Sequence, residues 1–566
     1  MGPRPEYPRP LLQRRDWTNL NGEWEFGAGE RAVYDRRIVV PFCPESKLSG
    51  VGLPPGDVVW YRRRFEAPAA DCAVLHFGAV DYRATVWVND VEVARHEGGH
   101  TPFSVDVTGA LRGRDNVLVV RADDPLTDKT IPRGKQFWGE QPEGIFYTPT
   151  TGIWQTVWLE PLPARHIRGL RLKPDLEAGA VDFELDGDGV ARLVVTLAGD
   201  VVGRWEGSTG RGRIGLQAIA PWHPDSPALY EVEASLLDAE GKVADEVVSY
   251  FGLRSVRTGD GQVWLNGEPF VERLVLDQGY FPDGLLTAPG DDALRADIEA
   301  ARALGFNGAR KHQKVEDPRW LYWADRLGFL VWDEMPSFQE HSIEAERRLA
   351  AEWASVVRRD RDHPCVVAWV PANESFGLEH VTPAVRSRFL VRMYDLTHEL
   401  DPTRPVVSND GWEHAITDLC TLHDYSSPDE FARRYRGIES ALDGKASGHP
   451  PYDPGYSYRG EPLLITEFGG LKMSGSGGWG YAQVGDADQF LHVYRGLIEG
   501  LMDPGPVAGF CYTQLTDVES EQNGLLTYDR RPKVDAALVK PITQAAKRQL
   551  KGSPKETSPP ATKPRF

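Results

Sequence analysis

Two apolar runs in this chain each stop at a glutamate. CVVAWVPANES, 365–375, ends at Asn373 and Glu374, and PLLITEFGG, 462–470, carries Glu467 at its polar end. A short continuous apolar run reads as a strand covered on both faces. One such run ending in a carboxyl is ordinary, because many strands finish in a polar residue that meets water. Two of them supply what paired acid chemistry needs: an acid to protonate a leaving oxygen and a carboxylate to face the positive charge that develops opposite it. The two groups must then hold different protonation states.

The elements that would position this pair lie between 257 and 550. Helical periods fall at 291–304, 317–327, 344–361, 383–400, 486–503 and 535–549. Apolar strands near 270, 306, 329, 366, 405, 419, 463 and 508 alternate with them. Eight strands alternating with helices predict a (β/α)8 TIM barrel, whose chemistry sits at the C-terminal ends of its strands. On this count Glu374 ends the fourth strand and Glu467 the seventh. The other strand ends offer Asp277, then Asn307, Arg310 and His312, then Asp333 and Glu334, then Trp412, then His423 and Tyr425. Carboxyls on facing strands, ringed by aromatic and hydrogen-bonding groups, describe a glycosidase. Asn373 can hold a sugar hydroxyl beside Glu374, and Arg310 or Tyr425 can keep Glu467 ionised. Arg310 and His312 read equally as braces of the barrel interior. Trp479, in the glycine-rich SGSGGWGYAQ, reads as part of a substrate lid over 474–482 or as a disordered tip.

Upstream, 1–162 reads as an all-β jelly-roll sandwich of short alternating runs, with Asn89-Asp90 at hairpin spacing between two of them. Residues 163–256 read as an immunoglobulin-like sandwich acting as a spacer. One segment resists the first assignment. IPRGKQFWGEQPEGIFYTPTTG, 131–152, is a long loop rich in aromatics, and is expected to leave its own domain to visit a site elsewhere. The Pro-rich stretch 551–566 reads as a disordered tail.

The formal net charge of −19 disfavours nucleic acid and anionic membranes as partners. Five scattered cysteines fit neither a disulfide framework nor a zinc site. No signal peptide or membrane span is legible, which predicts a cytoplasmic protein. The 17 Trp, 19 Tyr and 21 Phe leave aromatics to spare for stacking on a ligand such as a sugar.

The chain resembles the family 2 glycoside hydrolases over about residues 10 to 550, through NLNGEWEF (19–26), VPFCPES (40–46), YTPTTGIWQTVWLE (147–160), GFNGARKH (305–312), WVPANES (369–375) and TEFGG (466–470). The resemblance implies a sugar-binding-like jelly roll, an immunoglobulin-like sandwich and a catalytic barrel, with Glu374 as acid/base and Glu467 as nucleophile of a retaining exo-β-glycosidase. It implies no cofactor, a carbohydrate substrate, and assembly as a homo-oligomer. Family β-glucuronidases carry an Asn-x-Lys pair just before the segment that here reads GLLTYDRRPK, and its Lys reads the sugar carboxylate. This chain has SEQN, 520–523, with Glu521 and no Lys, so Glu521 is expected to repel a uronic acid and the expected substrate is a β-galactoside. The alternatives are a β-glucuronide, another family 2 glycoside such as a β-galactofuranoside, β-mannoside or β-glucosaminide, or a carbohydrate-binding protein without activity. Glu340 and His341 lie near the metal-binding pattern of the large family β-galactosidases but at a different spacing, so no metal is expected. A retaining pair places the carboxyls about 5 to 5.5 Å apart.

Overall fold

The computed structural model describes residues 2–545 except 140, 445, 476, 503 and 504. The segment 551–566, expected to be disordered, lies outside them.

The N-terminal region is a sandwich of two antiparallel sheets. Six strands run in the order Arg36–Val40, Gly22–Ala28, Val58–Glu66, Asp115–Asp123, Arg83–Val88, Val91–Glu97. Four run Thr18–Asn19, Val157–Leu162, Cys72–Phe77, Phe103–Asp106. Alternation sets the packing: Leu118, Val120 and Ala122 of one strand are buried in the core with Val86, Val88 and Leu75. Asn89 and Asp90 turn the Arg83–Val88 and Val91–Glu97 hairpin with φ of 50° and 68°, the left-handed pair that a tight hairpin requires.

The middle region is built on one long hairpin, Ala180–Leu197 with Asp200–Gly215, whose first strand also pairs with Gly169–Asp175 over its first half and with Tyr230–Leu237 over its second, Val243–Phe251 lying beyond the latter. Its register breaks between Leu185 and Val190. Residues before the break (Val181, Phe183) and after it (Leu193, Val195) share one core with Val232 and Ala234. The same two strands therefore serve both halves of the domain.

In the C-terminal region the parallel sheet runs Val366–Val370, Leu330–Glu334, Gly308–Lys311, Glu272–Asp277, Val507–Tyr512, Leu463–Phe468, Cys420–Asp424. The gap between its two ends is filled by 405–410. There Val406 bridges Trp369 and Asp410 bridges Asn373, both in parallel, and His423 N–H donates to Gly411 O at 3.3 Å. This fifth position is irregular because Pro405 has no N–H to donate and the N–H groups of Ser408 and Gly411 bond to threonine hydroxyls instead. The helices start where the caps say they should. Asp317, Ser342 and Thr382 each accept a backbone N–H of the first turn, ahead of Pro318–Leu327, Ile343–Asp360 and Pro383–Leu400.

The middle domain docks beneath the barrel through Asp325. Its carboxylate accepts from Cys365 N at 2.8 Å and from Tyr250 OH of the sandwich at 2.8 Å, with His363 Nδ1 at 2.6 Å. All of these groups are buried. Asp325→Ala leaves three polar groups without their acceptor and is expected to cost about 3 kcal/mol. A urea midpoint followed by tryptophan fluorescence should fall accordingly, and Asp325→Asn should fall less.

Candidate active site

The site is built around Arg310, which is fully buried. Its Nε donates to Glu334 Oε2 at 2.6 Å, Nη1 reaches Asp410 Oδ2 at 2.6 Å and Thr466 O at 2.9 Å, and Nη2 donates to Glu467 Oε1 at 2.7 Å and Asn373 Oδ1 at 3.1 Å. One rigid guanidinium fork thus fixes carboxylates from three different strand ends. Glu467 also accepts from Tyr425 OH at 2.6 Å through its other oxygen. Burial would raise the Glu467 pKa, but His423 and Arg310 outweigh it and hold the carboxyl well below the usual range. Tyr425 is itself pushed far up, by burial and then by Glu467, so it stays a phenol and a donor.

Glu374 sits opposite, with its side chain 18% exposed. Its backbone and that of Ser375 lie in the left-handed region, φ 51° and 54°, a conformation that side-chain-bearing residues hold only where the surroundings enforce it. Enforcement comes from Glu374 N donating to Asp410 O at 2.8 Å, Ser375 N to Asn409 Oδ1 at 2.9 Å, and Ser375 Oγ to Glu413 at 2.6 Å. His423 Nδ1 lies 2.6 Å from Glu374 Oε1 and 3.6 Å from Glu467 Oε2, while Nε2 is 3.1 Å from Asp410 Oδ2. Burial would lower the His423 pKa, yet Glu467, Asp410 and Glu374 together lift it to about 10. The ring is therefore an imidazolium donating to both sides. One oxygen of each glutamate and a nitrogen of His423 all lie within 4.8 Å of one another.

Of the other expected residues, Asn373 is buried with Nδ2 unpartnered, and Trp412 likewise has a buried, unpartnered Nε1. The Trp412 ring meets His423 edge-on at 5.5 Å and stacks on His449 at 4.4 Å. His312 packs against Arg310 and Glu334, 2.7 and 2.9 Å from its Nδ1, and burial with the Arg310 charge keeps it neutral. Trp479 is 38% exposed at the rim, its backbone paired with Ser520 and Gln522. Tyr481, two residues on, stacks flat on Tyr425. Glu521 is buried beneath, its oxygens accepting from Tyr147 OH and from Asn523 Nδ2 at 3.2 Å.

Two expected residues are not brought to this cluster. Asp277 and Asp333 flank Lys311 across neighbouring strands, so all three share the outer face of the barrel. Asp277 pairs with Lys311 at 2.6 Å, and Asp333 meets Asp360 of the surrounding helix. Glu334, one residue past Asp333, is the inward one. Asp410 was also absent from the expected set, because the irregular segment at 405–410 hides the alternation that would have aimed it inward. His341 pairs with Glu346 at 2.9 Å.

The loop 131–152 does cross to the barrel. Gly134 N donates to Ser337 O at 3.0 Å, Thr148 N to Glu519 at 3.0 Å, and Phe146 meets Phe376 edge-on at 6.1 Å.

Three family descriptions match along the chain: "Glycosyl hydrolase 2 galactose-binding domain-like" over 56–144, "Glycosyl hydrolases family 2" over 166–254, and "Glycosyl hydrolases family 2, TIM barrel domain" over 256–490. The β-glucuronidase of Canis lupus familiaris is 30% identical over 540 residues, 83% of this chain and 80% of its own. The chain belongs to glycosyl hydrolase family 2. It is accordingly a glycoside hydrolase. Another family member, a β-galactosidase of Thermoanaerobacter pseudethanolicus, is 28% identical over 75% of this chain and 59% of its own. The fold is shared with the β-glucuronidase structures of Dictyoglomus thermophilum (TM-score 0.79, 19% identity, 95% of this chain and 98% of that one) and of Ruminococcus gnavus in complex with D-glucuronic acid (0.78, 20%, 96% and 100%).

Two outcomes follow from this geometry. Tyr425→Phe removes one charge-assisted hydrogen bond from Glu467 and is expected to lower kcat/KM roughly 10- to 150-fold. His423→Phe removes the cation that does most to depress Glu467. The carboxylate form of Glu467 disappears as pH falls through its pKa, so raising that pKa moves the acidic limb of the kcat/KM profile to higher pH, measurable with a nitrophenyl glycoside.

Proposed function

We propose that the chain hydrolyses terminal β-glycosides with retention of configuration, Glu467 acting as nucleophile and Glu374 as acid/base. The observation that carries this reading is that one oxygen of each carboxyl lies within 4.8 Å of the other beside His423, closer than the roughly 6.5 to 9.5 Å of an inverting pair. Glu467 is ionised and attacks the anomeric carbon. The bond to the leaving oxygen breaks as that oxygen takes the proton held between Glu374 and His423, delivered through Glu374, the partner open to solvent. Water, deprotonated by Glu374, then releases the sugar from Glu467. Tyr425 and Arg310 hold the Glu467 oxygens in place, and the free Asn373 Nδ2 and Trp412 Nε1 are donors for sugar hydroxyls.

The substrate we propose is a β-glucuronide. The expectation of a β-galactoside depends on Glu521 repelling a uronic acid. Glu521, however, has both oxygens engaged as acceptors by Tyr147 and Asn523, with burial raising its pKa, so its carboxylate is turned to those donors rather than free to face a sugar. The dog relative bears the β-glucuronidase name and the bacterial β-galactosidase keeps the second reading open.

Glu374→Ala and Glu467→Ala should each lower hydrolysis of a nitrophenyl substrate by about 10²-fold or more. With sodium azide, Glu467→Ala should release the α-glycosyl azide and Glu374→Ala the β-anomer, read by NMR. Full activity in either variant, or the opposite anomers, would reverse the assignment.

A further inference from the structure

Lys135 is 5% exposed, yet its ammonium has no hydrogen-bond or ion-pair partner among the described residues. A buried cation without an anion is costly unless a ligand supplies one. Its position points to which ligand. Nζ lies 5.7 Å from the Phe146 ring centroid and 5.9 Å from that of Phe376, two residues beyond Glu374. Its charge acts on His312, beside Arg310, and is the foremost neighbouring charge acting on Glu521. The ammonium therefore stands beside Phe376, on the segment that carries Glu374, and close enough to Glu521 for its charge to be felt there. Glu521 does not take it as a direct partner, since both its oxygens are satisfied elsewhere.

We propose that Lys135, carried in from the N-terminal sandwich on the loop 131–152, is the group that reads the C6 carboxylate of the sugar. This rests on the glycosidase reading above and specifies how an acidic sugar is chosen by a chain whose 520–523 stretch carries no lysine. The faces of Phe146 and Phe376 border the ammonium, and a carboxylate gains more from it in that partly enclosed setting than at an open surface.

The test is a pair of substrates differing only at C6, nitrophenyl β-D-glucuronide and nitrophenyl β-D-glucoside, with wild type, Lys135→Met and Lys135→Arg. Lys135→Met keeps the apolar stem, and thermal unfolding checks that it folds. The expected result is that the glucuronide-to-glucoside ratio of kcat/KM falls at least about tenfold in Lys135→Met and is partly restored in Lys135→Arg. Calorimetry with D-glucuronic acid should show the same loss of binding without any turnover. If wild type cleaves the glucuronide and the ratio is unmoved in Lys135→Met, Lys135 does not read the carboxylate and this proposal falls alone. If wild type cleaves only neutral glycosides, the acidic-sugar assignment falls with it while the glycosidase reading stands. If neither substrate is cleaved, the acidic-sugar assignment and this proposal fall together, and nitrophenyl β-D-galactoside then decides the glycosidase reading.

Discussion

The Arg310 guanidinium is the constraint on which the site depends. Placing a cation wholly inside a barrel is unfavourable unless several acceptors surround it, and here the acceptors are Glu334, Asp410 and Glu467 together with the carbonyl of Thr466 and the amide of Asn373. The arrangement works in both directions. The carboxylates make the buried arginine tolerable, and the arginine makes their crowding tolerable. Burial nevertheless raises Glu334 to about 7 while Asp410 and Glu467 are held down. His423 is a second positive centre in the same network, so the pair of glutamates sits in a field set by two cations rather than in plain low dielectric.

The barrel strands carry a different network on each face. Inward side chains from Arg310, Glu334 and Glu467 assemble the cluster around the guanidinium. Outward ones assemble a buried structural quartet in which Lys311 binds Asp277 and Glu316, and Glu316 also binds Lys314. Both sets are rich in charge and both are buried. Only position along the two-residue pleat decides whether a carboxylate meets a ligand or meets a helix.

That pleat explains what could and could not be read from the sequence. The barrel was legible because its helices and apolar runs alternate over a long stretch with capping residues at their starts, and Glu374 and Glu467 were legible because they end such runs. The phase of each strand was not. Neighbours such as Asp333 and Glu334 look alike in one dimension, and only the cross-strand partners separate them. Asp410 was hidden by a fifth position whose pairing is irregular. Lys135 was hidden for another reason: the loop around it was recognisable by its length and aromatics, but nothing in GKQF states which side chain the docked loop leaves unpaired.

The hydrogen bond from Tyr147 to Glu521 joins residues 374 positions apart. It therefore ties one segment of the chain to another made much later, and closing so long a loop is entropically slow to be rewarded. This contact can settle only when the sandwich loop and the barrel have met. The two glutamates thus gain this neighbouring contact only once the sandwich loop and the barrel have met, which makes the finished site a property of the assembled molecule and not of any one domain.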